Sequence, residues 1–138
     1  NFNGVFYQDS LEVMADIAGA GEDLAVLTTG NSPWVKQAIE TIDPVVANRL
    51  LRVYSGNKSL PEAYESTERD LNLGGRRMVS HTEDQLKGFE GLLRSPLLEQ
   101  VNGIYVERAD LATPDEVLGL GISHYVRDLR NAPYLRRE

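Results

Sequence analysis

The 138-residue chain contains no cysteine. Disulfide bonds, thiolate metal sites and a cysteine nucleophile are therefore excluded. The chain has only two histidines, His81 and His124, and their spacing is not that of a zinc site. The lack of cysteine is compatible with the cytoplasm, which is the compartment we expect for the protein.

Long apolar runs are also absent. No stretch approaches the roughly 18 residues that a membrane-spanning helix needs, and no signal peptide is visible. No predicted strand is followed by a Gly-x-Gly-x-x-Gly or Walker loop, and there is no Gly-x-Ser-x-Gly elbow. We therefore expect neither a membrane partner nor a dinucleotide or P-loop site.

The residues that are present have the composition of a globular protein, since 41% are hydrophobic and 25% are charged. The formal net charge is −7, so we expect no binding to nucleic acid or anionic lipid. The length favours a single domain that covers residues 1–138.

Predicted strands and helices alternate along the chain. This alternation predicts an α/β fold, a Rossmann-like three-layer α/β/α domain with a mostly parallel sheet. A capping-box spacing from Ser59 to Glu62 predicts the start of a helix that runs to about Leu73. The predicted strands are 24–27, 50–54, 76–79, 103–106 and 122–126, with 80–84 as a loop and 85–94 as a helix.

The apolar run 24–27 has the length of a strand buried on both faces. It ends in Thr28-Thr29-Gly30-Asn31, and Ser32-Pro33 then has the residues of a helix N-cap and first helical position. A strand, a polar turn and a helix N-terminus form a corner that binds a phosphate or a carboxylate. Thr28, Thr29 and Gly30 are therefore candidate phosphate-binding residues.

Polar residues also follow the other predicted strands. Lys58 comes after the second strand, residues 80–84 after the third, and Glu107 with Arg108 after the fourth. A hydroxyl, a lysine and carboxylates at successive strand ends suit a phosphate with a divalent cation. Ordinary explanations exist as well: Lys58 as a solvated loop lysine, and acidic residues as favourable charges at a helix N-terminus.

Taken in order, these strand ends resemble the haloacid dehalogenase-like (HAD) superfamily of phosphohydrolases. The segment that resembles the second motif of the family is Leu-Ala-Val-Leu-Thr28-Thr-Gly-Asn. The third motif is matched by Asn-Lys58-Ser-Leu-Pro-Glu-Ala-Tyr64, and the fourth by Arg-Met-Val-Ser-His81-Thr-Glu-Asp. The similarity extends from about Tyr7 to Leu129. It implies a HAD-like core that hydrolyses phosphate monoesters through an aspartyl-phosphate.

The resemblance implies a role for each matching residue. Thr28 would bind the transferred phosphoryl group, and Lys58 would bind phosphate and stabilise the phospho-aspartyl intermediate. Glu83 and Asp84 would hold Mg²⁺, and the partner would be a small phosphorylated molecule.

The chain departs from the family in the fourth motif. Ser80-His81 stands where the family has Gly-Asp, and Gln85 lies near the position of the second acid. A histidine and an amide are poor ligands for a hard cation that prefers oxygen.

The first motif of the family, Asp-x-Asp, is absent from the chain. Either its strand lies upstream of Asn1, or Val5-Phe6-Tyr7-Gln8-Asp9 is a degenerate form of it. The short span from Asp9 to Leu24 favours the first explanation. In the family this strand lies between the strand of Thr28 and that of the fourth motif, so we expect something to fill that place.

Two other classes remain open. A catalytically inactive HAD-like module that binds a ligand or partner is favoured by His81 and Gln85. A flavodoxin-like or receiver-like domain is less favoured, because no acidic cluster follows the first predicted strand. Both HAD-like interpretations require Thr28, Lys58 and residues 81–84 to converge on one rim of a single parallel sheet.

Overall fold

A computed structural model of the chain describes residues 7–29 and 32–132. These residues fall into two compact units. Unit 1 contains the described residues up to Gly56 together with 129–132, and unit 2 contains Asn57–Asp128. Both units combine helices with parallel strands, so the α/β class expected from the sequence is confirmed.

The helices are α1 (Gln8–Gly19), α2 (Ser32–Ile42), α3 (Pro44–Arg49), α4 (Pro61–Leu73), α5 (Glu90–Leu93) and α6 (Pro114–Gly119). The strands are β1 (Leu24–Thr28), β2 (Leu50–Ser55), β3 (Ser80–Glu83), β4 (Asn102–Val106) and β5 (His124–Val126). Short 3₁₀ turns occupy Leu86–Phe89, Pro96–Glu99 and Leu129–Asn131. No helix in the described ranges is long and apolar enough to cross a membrane.

Unit 1 is built on the parallel pair β1–β2, whose register runs from Ala25 opposite Arg52 to Thr28 opposite Ser55. Parallel neighbours need a crossover connection, and α2 and α3 supply it. The strand predicted at 24–27 is therefore confirmed in position.

The prediction that this strand is buried on both faces is wrong. Leu24 and Val26 are half-buried and pack against the helices, whereas Ala25 is exposed. The helices α1, α2 and α3 cover one face of the two-stranded sheet. Ala25 points to the other face and is therefore exposed to solvent. The buried side chains of this small core are Ala18, Ile39 and Val46.

Asp9 has a structural task in unit 1. It lies in the first turn of α1, is 7% exposed, and accepts a hydrogen bond from the backbone N–H of Leu129 (2.9 Å). The interpretation of Asp9 as a remnant of an Asp-x-Asp motif would place it at the end of a strand. The structure places it in a helix instead, while Val5 and Phe6 lie outside the described residues.

Unit 2 contains the parallel sheet β3–β4–β5. The register pairs Ser80 with Asn102 and Ile104 with His124. The central strand β4 is buried along most of its length, as Gly-Ile-Tyr-Val in a fully covered parallel strand should be. The largest fully buried side chains are Tyr64, Phe89, Leu92, Ile104, Tyr105, Val117 and Ile122.

The third strand lies four residues later than predicted. Residues 76–79 are not a strand, because Arg76 and Arg77 are exposed and the N–H of Met78 is bound to the Glu68 carboxylate (3.1 and 3.2 Å). The polar segment Ser80–Glu83, predicted as a loop, pairs with β4 instead. His81 and Glu83 are therefore two apart on one strand and project to the same face.

Two helix starts differ in their capping. The capping box predicted from Ser59 to Glu62 does not form, because α4 begins at Pro61 with Leu60 as an N-cap without a side-chain bond. The capping box between Thr113 and Glu116 is present. The helix predicted over 85–94 is divided into a 3₁₀ turn and the short α5.

Candidate functional site

Four side chains of unit 2 form the group that we call the Glu83 cluster: Lys58, Tyr64, His81 and Glu83. Lys58 lies in the loop before α4, Tyr64 lies on α4, and the other two lie on β3. The strand brings His81 and Glu83 together, and the turn before α4 brings Lys58 to the end of that strand.

The carboxylate of Glu83 is the centre of the cluster. Its Oε2 accepts hydrogen bonds from the Lys58 ammonium (2.7 Å) and from Nε2 of His81 (2.8 Å). The side chains of Lys58, His81 and Glu83 are 17%, 12% and 12% exposed. Because an ionised carboxylate only accepts hydrogen bonds, Nε2 of His81 must carry a proton.

Two aromatic rings pack against the imidazole of His81, and we call this pair its aromatic clamp. Tyr64 meets the imidazole edge-to-face at 5.0 Å and 88°, and Phe89 does so at 5.7 Å and 86°. Tyr64 and Phe89 are both completely buried. The ring of His81 can therefore turn little without displacing core side chains.

The hydroxyl of Tyr64 completes the network. It donates to the backbone carbonyl of Gly88, and its oxygen lies 3.4 Å from Nε2 of His81. Burial, and then the negative charge of Glu83, raises the pKa of Tyr64 well above that of a free tyrosine. Tyr64 is therefore a neutral hydrogen-bond donor throughout the physiological pH range.

The loop that carries Lys58 is held from α5. The N–H of Gly91 donates to the carbonyl of Lys58 (2.8 Å), and the guanidinium of Arg94 donates to the carbonyl of Ser59. A Cβ at Gly91 would overlap the backbone carbonyls of Lys58 and Leu60. Only glycine lets α5 approach this loop so closely.

Gly88 makes room for Glu83 in a similar way. A Cβ at this position would lie 2.5 Å from the carboxyl carbon of Glu83. Tyr64, Gly88, Phe89 and Gly91 have no role that the sequence pattern indicates. The contacts of Tyr64, Gly88 and Phe89 with His81 and Glu83 depend on β3 lying at 80–83, so the incorrect strand position concealed them. The contacts of Gly91 with the loop of Lys58 depend on the position of α5 instead.

The structure brings together some of the predicted site residues. Lys58 and the segment 81–84 meet through Glu83. Thr28 belongs to unit 1, where it is half-buried at the end of β1 and its carbonyl accepts from the N–H of Gly56 (3.0 Å). Its convergence with Lys58 stays a prediction.

The predicted anion-binding corner after β1 is described in part. Thr29 is exposed, α2 begins at Ser32, one residue before the expected first helical position, and Gly30 lies outside the described residues. The strand before this corner and the helix after it are confirmed. Phosphate binding by Thr28, Thr29 and Gly30 stays a prediction.

The predicted magnesium ligands Glu83 and Asp84 do not make a metal site by themselves. Oε2 of Glu83 is already shared by an ammonium and an imidazole N–H. Among the described residues, no group of three or more His, Cys, Asp or Glu is placed to hold a metal ion. Since Mg²⁺ requires six oxygen ligands in near-octahedral geometry, most of them would have to come from elsewhere.

Glu107, another predicted strand-end carboxylate, has a structural role. It is 4% exposed and accepts hydrogen bonds from the backbone N–H groups of Ala109, Leu111 and Ala112 and from the hydroxyl of Tyr105. It thereby holds the turn after β4. Burial opposes ionisation of Glu107, but these donors outweigh it and lower its pKa.

Comparison with protein-family models finds no match, and comparisons with curated proteins and with solved structures find none either. The resemblance to the HAD superfamily therefore depends on the residues and their order alone.

Substitution of Gly88 by alanine should destabilise the protein by about 1–3 kcal/mol, because the new methyl group must displace the Glu83 carboxylate. Gly119→Ala is the matched control, since a Cβ at Gly119 meets nothing within 4 Å. Urea unfolding monitored by circular dichroism measures both effects. Equal stability of the two variants would contradict the close packing of Glu83 on Gly88.

The lowered pKa of Glu107 predicts acid sensitivity. A carboxylate whose pKa is lower in the folded state contributes stability above its unfolded pKa, about 4.3. That contribution is lost as the pH falls through the folded value. Glu107→Gln should therefore be less stable than the wild type at pH 7, and its unfolding free energy should fall less steeply below about pH 4.3. Parallel pH profiles of the two proteins in urea would contradict this account.

Proposed function

We propose that the chain is the core of a HAD-like phosphohydrolase with a Rossmann-like three-layer arrangement. It would hydrolyse small phosphate monoesters in the cytoplasm through an aspartyl-phosphate whose nucleophile is not among these 138 residues. The observation that carries the proposal is the contact between Lys58 and Glu83. These residues belong to the segments that resemble the third and fourth motifs, and they are 25 positions apart.

The edges of the two sheets also support the proposal. Within the described residues, β1 pairs only with β2, and β3 pairs only with β4. The resemblance places the strand of the first motif next to both β1 and β3. An open edge on each of these two strands is what that placement requires.

In this proposal Lys58 supplies positive charge to the phosphoryl oxygens. An ammonium has three N–H donors, and Glu83, its only partner among the described residues, takes one of them. Two donors remain for an anion. Thr28 would contribute its hydroxyl to the phosphoryl group, as the resemblance implies. We assign no step to Mg²⁺, because Glu83 and Asp84 are too few ligands.

The inactive binding module is the second candidate. The observation that favours it is the hydrogen bond from His81 to Glu83, at the position where the family has an acid. An imidazole N–H that binds the neighbouring carboxylate competes with a cation for it. In this case Lys58 would still bind a phosphorylated ligand, without turnover.

Inorganic phosphate should stabilise the chain through Lys58. At a concentration of about ten times the Kd, the unfolding free energy should rise by about 1.4 kcal/mol. Lys58→Gln should lose this increment, while Lys87→Gln, which removes an exposed lysine of the same unit, should keep it. Urea unfolding with phosphate, and with chloride at equal ionic strength, makes the comparison. A full increment in Lys58→Gln would refute the assignment of Lys58.

Turnover tests the lack of a nucleophile that both candidates share. The 138 residues alone should not hydrolyse an aryl phosphate in the presence of Mg²⁺, because neither candidate provides a nucleophile. Robust turnover would show that these residues do contain a nucleophile.

Magnesium separates the two candidates. A phosphohydrolase core should be stabilised by Mg²⁺ in the millimolar range when phosphate is present, and the inactive module should not be. Thermal unfolding during a Mg²⁺ titration provides the measurement.

A further inference from the structure

We infer that His81 is a positioning residue for Lys58. It fixes the carboxylate of Glu83, and through that carboxylate it fixes the ammonium of Lys58. The relevance of this arrangement to phosphate binding rests on the proposed function. The arrangement itself rests on the contacts within the Glu83 cluster.

Lys58 and Glu83 would not define one geometry without a third group. Both side chains are long, and holding two such chains in a single ion pair costs conformational entropy. The ammonium is also free to approach either carboxylate oxygen. The observed pair uses Oε2, the same oxygen that accepts from Nε2 of His81.

His81 is the rigid member of this group. Its side chain is short, it lies on a paired strand, and its ring is clamped by Tyr64 and Phe89. Gly88 also lies close against the Glu83 carboxyl group. The buried aromatic rings therefore restrict the orientation of His81. His81 restricts the position of the Glu83 carboxylate, and that carboxylate restricts the position of the Lys58 ammonium.

An imidazole suits this task better than a second acid. An aspartate at position 81 would place a like charge beside Glu83, with Lys58 alone to neutralise both. His81 supplies a donor instead. The donor is Nε2–H, which is present in the Nε2-protonated neutral ring and in the imidazolium alike.

The ammonium group of Lys58 can be observed directly by ¹⁵N–¹H NMR at low temperature. The chain has three lysines, Lys36, Lys58 and Lys87, and Lys58→Gln identifies the signal of Lys58. In the wild type this signal should be sharp and protected from exchange. His81→Phe, which keeps a ring in the clamp but removes the donor, should broaden it beyond detection.

His81→Gln is the rescue variant, because its amide nitrogen reaches about as far as Nε2 and should restore the signal. His81→Asn is shorter by one methylene and should not restore it. It also replaces His81→Phe if that variant does not fold. His124→Gln is the matched control on β5 and should leave the Lys58 signal unchanged. Circular dichroism and the unfolding midpoint establish that each variant is folded.

Phosphate affinity, measured by the stabilisation described above, is the second readout. His81→Phe should weaken it by about tenfold or more, the usual effect of one hydrogen bond to a charged group, and His81→Gln should stay close to the wild type. A Lys58 signal that depends on His81 supports the positioning role, whether or not phosphate binds. The absence of any effect of phosphate would refute only the proposed function. An unchanged Lys58 signal in folded His81→Phe or His81→Asn would overturn the inference.

Discussion

A carboxylate that is only 12% exposed must find its hydrogen-bond donors within the protein, and Glu83 finds two of them on one oxygen. One donor comes from the same strand and the other from a loop 25 residues earlier. This requirement ties the loop before α4 to β3. It also explains why a glycine is needed at position 88, where any side chain would occupy the space of the carboxyl group.

Glu107, at the end of the neighbouring strand β4, is a buried carboxylate that also needs hydrogen-bond donors, but its donors are of another kind. Its donors are backbone N–H groups of the following turn, so its charge is used to hold that turn. Glu83 is paired with side chains that carry charge or can do so. Two acidic residues at adjacent strand ends thus have different tasks, and only their partners distinguish them.

Much of the fold could be predicted from the sequence, because apolar strands and helices with a proline in the first turn have clear sequence patterns. The strand β4, predicted over 103–106, belongs to this group. The position of β3 could not be predicted, because its four residues are polar and only their pairing with β4 makes them a strand. The sequence already indicated Lys58 and Glu83 as candidate residues at strand ends, and their roles stay predictions. The aromatic clamp on His81 could not be predicted, because it depends on the pairing of β3 with β4.

The hydrogen bond between Asp9 and Leu129 has a consequence for biosynthesis. It joins residues that are 120 positions apart, whereas unit 2 is one continuous segment. At about 5–20 residues per second, the ribosome needs roughly 6–24 s to make the chain between them. During that interval the whole of unit 2 is being synthesised, and the carboxylate of Asp9 still lacks the N–H of Leu129. Translation speed therefore determines how long the unfinished first unit is exposed to chaperones and proteases.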